Sequence, residues 1–224
     1  MTEQSSSDFS MVKSKSNLAT QYLLDAVLSE KNERPSLKLM MRAMKDAGCA
    51  VIPKVHIVIE KCNAFHGYGG FDSSNNEIVL CEEKFGSIAW SEPKQFMDTI
   101  LTHELIHAFD HCRANVDFYN NPRHSMCSEI RAAALSGQCT ISKKPGAAVL
   151  GGVKKYHQRC VKTQAMNSFK ALHPNWSEKD SKNLLDSLFS ICYYDTEPFD
   201  RVPLTNEQAF LSYKAYISRN RYHV

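Results

Sequence analysis

Long apolar runs are missing from this 224-residue chain. No stretch approaches the roughly 18 consecutive apolar residues of a membrane-spanning helix, so contact with a membrane is expected to be peripheral. A strong charge of either sign is missing too: 27 Lys and Arg stand against 24 Asp and Glu, a net +3. The basic residues are scattered rather than gathered into a stripe with interleaved aromatics, which argues against a nucleic-acid partner. None of the eight cysteines forms a C-x-x-C pair, which speaks against a second, structural zinc site of the ribbon type. The N-terminal segment lacks an apolar signal region, and Glu3 and Asp8 do not suit an Arg-rich presequence.

What is present suits one compact domain and a tail. Residues 1–17 are Ser-rich and poor in apolar side chains, a composition that predicts disorder. Residues 18–224 are expected to form a single domain, since 43% apolar residues suffice for a sizeable core. The cysteines, even in number and widely spaced from Cys49 to Cys192, suit disulfides and hence an oxidising compartment. Their pairing is not legible in the sequence.

The run His103-Glu104-Leu105-Ile106-His107 carries the chemistry. On a helix, residues four apart differ by about 40° around the axis and about 6 Å along it, so both imidazoles point the same way and can hold one metal ion. Glu104 follows the first histidine, placed to take a proton from a water nucleophile without being a ligand. The segment Gln95 to His111 reads as a helix with an apolar stripe at Phe96, Ile100, Leu101, Ile106 and Phe109. Two imidazoles beside that stripe would lack partners unless a metal bound them.

Catalytic zinc sites use three protein ligands and leave a position for water. His111 is four residues beyond His107, but three turns of one helix spread about 12 Å along the axis, too far for one ion. Asp110 faces a similar direction and is also distant. Glu129 is the stronger choice, on a second helix predicted over Ser125 to Leu135 that ends before Gly137. Its alternative is a surface carboxylate or a partner for Arg131. Asp110 is a candidate to orient a ligand imidazole, and Tyr68, His124 and Arg131 are candidates to stabilise an oxyanion.

Other segments read as a helix over Leu18 to Leu28, a helix over Leu37 to Ala47 stopped by Gly48, and a strand within Val51 to Glu60. Tyr68 to Asp72 and Glu77 to Cys81 read as strands joined by a turn at Ser73 to Asn76. Either Gly69-Gly70-Phe71 or Ile78-Val79-Leu80 is a candidate edge for pairing with an extended substrate. Helices are predicted over Val153 to Leu172, Ser177 to Tyr193, and from a Thr205/Gln208 capping box to about Ser218. The expected fold is α+β: a mainly helical, zincin-like metallopeptidase with a small sheet beside the active-site helix.

The stretches HELIHAFDHCR and HSMCSEIRAAALSGQC, with GGFDSSNNEIVLC upstream and EPFDRVP downstream, resemble one known family. It is the metallopeptidase family of the mitochondrial inner membrane that matures and helps assemble the membrane sector of ATP synthase, whose members are also named Ku-binding proteins. The resemblance runs from about Pro35 to the C-terminus. It implies Zn2+ on His103 and His107, Glu104 as the catalytic carboxylate, and support for Glu129 from the S-E-I-R-A block. It also implies a protein substrate in the ATP synthase membrane sector and residence in the intermembrane space, peripheral on the inner membrane. The alternative it carries is an assembly chaperone whose proteolysis is dispensable. Relatives carry a polar residue where this chain has Ala134, and some a C-x-x-C where it has Ile59 and Cys62.

Overall fold

The structure is a computed structural model and describes residues 15–29, 35–62, 67–86, 92–140 and 152–220. It is mainly helical, with one small sheet, an α+β architecture. In chain order the elements are α1 (Lys15–Leu28), α2 (Pro35–Asp46), α3 (Pro53–His56), β1 (Ile57–Glu60), β2 (Gly69–Asp72), β3 (Glu77–Cys81) and α4 (Glu82–Gly86). Then follow α5 (Pro93–Ala114), α6 (Pro122–Leu135), α7 (Val153–Leu172), α8 (Glu178–Tyr194) and α9 (Asn206–Ile217). Helix α1 begins inside the span expected to be tail, and residues 1–14 lie outside the described residues.

Helix α5 starts at Pro93, whose fixed φ suits a first helical position. It stops at Asn115, which takes the left-handed conformation at φ 49°. The sequence predicts one apolar stripe on it, but all residues from Leu101 to Asp110 are buried. Helix α6 crosses it and is equally enclosed from Ser128 to Leu135. It begins earlier than predicted, because Asn121 accepts from the Arg123 and His124 N–H groups while Pro122 takes the first turn. Side chains cap both C-terminal helices. Ser177 caps α8, and Thr205 accepts from the Gln208 N–H while the Gln208 side chain reaches back to Leu204.

The predicted strand over Val51 to Glu60 is shorter. Pro53 opens a helical turn, α3, and His56 Nδ1 accepts the Ile52 N–H, so only Ile57–Glu60 is extended. The sheet order is β1-β3-β2, with β1 parallel and β2 antiparallel to β3. Thus β3 is central, and Ile78-Val79-Leu80 offers no free edge. Of the two candidate segments, Gly69-Gly70-Phe71 on β2 is the one that lies on an edge. Cys81 N–H donates to the Tyr68 carbonyl at 2.9 Å, so Tyr68, Gly70 and Asp72 turn their main-chain groups towards β3. Gly69 and Phe71 turn theirs outward. A Cβ at Gly69 would lie 2.6 Å from the Val79 carbonyl oxygen, so only glycine permits this close pairing.

All eight cysteines are paired: Cys49–Cys112, Cys62–Cys81, Cys127–Cys192 and Cys139–Cys160. Cys62 therefore needs no partner at position 59, because the parallel register of β1 and β3 brings Cys62, just past β1, beside Cys81 at the end of β3. The bridges tie α2 to α5, β1 to β3, α6 to α8, and the turn after α6 to α7. In the chain-entropy model, closing loops of 19 to 65 residues is worth about 3–4 kcal/mol per bridge.

One buried histidine sets an acid sensitivity. His157 on α7 is 1% exposed and bonded through Nδ1 to the Tyr193 hydroxyl at 2.9 Å, while Nε2 has no partner. Burial lowers its pKa to about 4. The unfolded chain binds that proton near pH 6.5, so stability is whole above that value and lost as pH falls towards 4. A series of melting temperatures from pH 7 to 4 should fall more steeply in the wild type than in His157→Gln. Parallel slopes would assign the loss to other groups.

Candidate metal centre

Helices α5 and α6 cross so that His103, His107 and Glu129 converge, all buried. His103 Nε2 lies 3.4 Å from Glu129 Oε2, and His107 Nε2 lies 3.6 Å from Glu129 Oε1. Donors bound 2.0–2.1 Å from a tetrahedral ion stand about 3.4 Å apart, so each imidazole nitrogen stands near coordination spacing from one of the two Glu129 oxygens, and the three side chains offer ligand atoms within 4.8 Å of one another. Glu129 Oε2 is buried and has no hydrogen-bond partner, an arrangement that is costly unless a cation joins it. The residues fit a metal.

Electrostatics within the triad agree. Burial acts to lower the His107 pKa, but the Glu129 carboxylate overcomes it and raises the imidazole to about 9. Burial acts to raise Glu129, and the two imidazoles outweigh it and hold that carboxyl well below the usual range. A metal bound here would take the place of the proton that Glu129 holds on His107.

A chain of buried hydrogen bonds orients His107. Its Nδ1 lies 2.8 Å from Ser128 Oγ, and Ser128 Oγ donates to Asp110 Oδ2 at 2.9 Å. A hydroxyl has one proton, and the Asp110 carboxylate takes it. The His107 Nδ1–H must therefore donate to Ser128, which leaves Nε2 to face the centre. Asp110 is fixed in turn by Arg131 Nε at 2.9 Å and by Arg113 Nε at 3.3 Å. Asp110 thus reaches a ligand imidazole through Ser128. Nothing in the sequence singled out Ser128, a common residue that gains its role only when α6 lies against α5.

Several candidates are placed elsewhere. His111 Nδ1 is 3.0 Å from the Val116 carbonyl and is spent on the loop after α5. Arg131 pairs with Asp110 and Asp195 rather than with Glu129. His124 sits at the start of α6, where its Nδ1 accepts the Asp117 N–H. Of the three oxyanion candidates, Tyr68 alone lines the cleft.

Glu104 is buried, and loss of water raises its pKa against the lowering effect of both imidazoles. The outward-facing Phe71 N–H is turned towards it and also acts to lower its pKa, which sets the carboxylate beside the edge of β2. The centre opens into a cleft of about 740 Å³ between that edge and α7. Buried carboxylate, paired imidazoles and an open strand edge can together bind an extended peptide and move a proton at its carbonyl.

The Peptidase M76 family matches residues 24–200. The chain is 42% identical to the mitochondrial inner membrane protease ATP23 homolog of Xenopus laevis over 84% of its own length and 77% of that protein's. It is 41% identical to the Homo sapiens homolog, over 84% and 73% of the two chains. Against the mitochondrial inner membrane protease ATP23 of the yeast Meyerozyma guilliermondii it is 37% identical, over 75% and 65%. No solved structure matches the chain.

Metal analysis of purified variants tests the centre. The wild type should carry one divalent ion per chain, Glu129→Gln should lose it, and His111→Ala should keep it. Ser128→Ala should keep the stoichiometry while affinity falls about 10–100-fold. Loss of metal in His111→Ala with retention in Glu129→Gln would move the third ligand onto α5.

Proposed function

The chain belongs to the Peptidase M76 family, and on that premise we propose that it is a zinc endopeptidase of the mitochondrial inner membrane that cleaves a membrane-sector subunit of ATP synthase. The convergence of His103, His107 and Glu129 over Glu104 carries this reading. Two histidine nitrogens and a carboxylate brought within 4.8 Å of one another are a donor set that suits zinc. When bound, zinc lowers the pKa of a coordinated water towards neutrality and polarises the scissile carbonyl.

The chain's own residues supply the rest. The outward main-chain groups of Gly69 and the Phe71 carbonyl pair with an extended substrate, as in zincin-like peptidases, which fixes the scissile carbonyl beside Glu104. Glu104 accepts the proton of the attacking water and returns it to the leaving amine. Phe71 N–H holds the carboxylate in place for both transfers. Tyr68, at the cleft wall, donates a hydrogen bond to the oxyanion as it develops. Asp110 and Ser128 keep His107 in the ligating tautomer.

Four disulfides require an oxidising compartment, which supports the intermembrane space as the site of action. No helix among the described residues is long and apolar enough to cross a membrane, which supports peripheral association. Residues 18–224 act as one catalytic domain. A scaffold that dispenses with proteolysis is not favoured, since the relatives are named proteases and the acid–base residue and all three candidate ligands stand together.

Glu104→Gln isolates the proton-transfer step. Its metal content should match the wild type, while cleavage of the purified subunit precursor should fall about 10²–10⁴-fold. Undiminished cleavage would remove Glu104 from the mechanism.

A further inference from the structure

The wall of the cleft opposite β2 takes no part in the chemistry above. It consists of Gln164, Asn167, Ser168, Ala171 and Leu172. These are positions i, i+3, i+4, i+7 and i+8 of α7, one continuous helical stripe. The stripe is held in place. Gln138 Nε2 donates to Gln164 Oε1 at 3.0 Å. Beside that contact the Cys139–Cys160 bridge joins the turn after α6 to α7, one helical turn before Gln164.

An extended peptide presents N–H and C=O groups along both of its edges. Pairing with β2 satisfies one edge. The other faces α7, where two carboxamides and a hydroxyl can both donate and accept. Charge is distributed with equal bias. Among the described residues that line the cleft none is Lys or Arg, and the carboxylates are Asp72, Glu104 and Glu129. The last two belong to the centre. Asp72 is held ionised by hydrogen bonds from the Ser74 N–H and the Asn75 side chain, both at 2.8 Å. An acidic side chain entering along the stripe, away from the centre, would shed water, meet the Asp72 charge and find no Lys or Arg among the described lining residues.

We propose that the Gln164–Leu172 stripe is the second wall of the substrate groove and that the groove selects an extended segment free of acidic side chains around the scissile bond. This rests on the peptidase reading above and adds the substrate class. Asn167 contacts the substrate, while Asp72 and the absence of Lys and Arg from the described lining set the charge preference. Ala171 keeps the groove open.

A mixture of random-sequence peptides, incubated with the metal-loaded full chain and sequenced by mass spectrometry, tests it. Asp and Glu should be depleted about tenfold at the positions flanking the cleaved bonds. Asn167→Lys, which places a cation on the stripe, should abolish that depletion. Thr163→Lys, exposed on the same helix but off the stripe, should leave it intact. Ala171→Trp should lower kcat/KM about tenfold with metal content and Tm unchanged. Acidic residues as frequent at the cleaved sites as in the mixture would overturn the proposal, as would wild-type behaviour of both Asn167→Lys and Ala171→Trp. A metal-loaded wild type that cleaves no peptide would instead remove the peptidase reading, and this inference with it.

Discussion

A guanidinium buried where two helices cross must be solvated by protein, and much of the molecule is arranged to do so. Arg131 is 1% exposed. Its Nε holds Asp110, and its terminal nitrogens reach the main-chain carbonyls of Asp195 and Glu197 beyond α8. An unpaired charge at that depth costs several kcal/mol, more than most single contacts contribute. The segment after α8 therefore returns to the α5–α6 crossing, and Arg113 braces it there through Asp195 and Glu197. From Asp110 the network continues through Ser128 to His107. Structural support and metal chemistry are thus one hydrogen-bonded system, in which the orientation of a ligand imidazole depends on a turn far along the chain.

The cleft depends on a second constraint, the closeness of β2 to β3. Gly69 allows the strands to approach, and the alternation of an antiparallel pair then sends Phe71 N–H outward to Glu104. The same alternation leaves the strand edge facing α7. Covalent ties hold both walls, Cys62–Cys81 at the sheet and Cys139–Cys160 at α7. A fixed gap between two walls orders little upon binding, so less entropy is lost when substrate enters.

Some of this was legible from residues alone. The spacing of His103 and His107 dictates a shared helical face. Ser177 and Thr205 at helix starts and Gly48 after α2 mark boundaries by local backbone chemistry, whereas α6 starts at Asn121-Pro122, ahead of the Ser125 start that its apolar pattern predicts. Where Pro53 broke a β-branched run, the local rule applied and the strand began later than its composition suggested. Ser128 and Phe71 carried no signal, because a serine hydroxyl and a main-chain N–H gain a role only from what lies opposite.

The sequence by itself determined the helix that pairs two imidazoles with a carboxylate, the strand–turn–strand upstream, the capped helices downstream and the cysteine content. These are short-range properties, set by helical period, strand alternation and turn geometry. Tertiary structure alone decided that Asp110 acts through Ser128, which of the two candidate segments lies on an edge, and how the cysteines pair. Each of those depends on which buried polar groups satisfy one another across segments distant in the chain, and no local spacing encodes that choice.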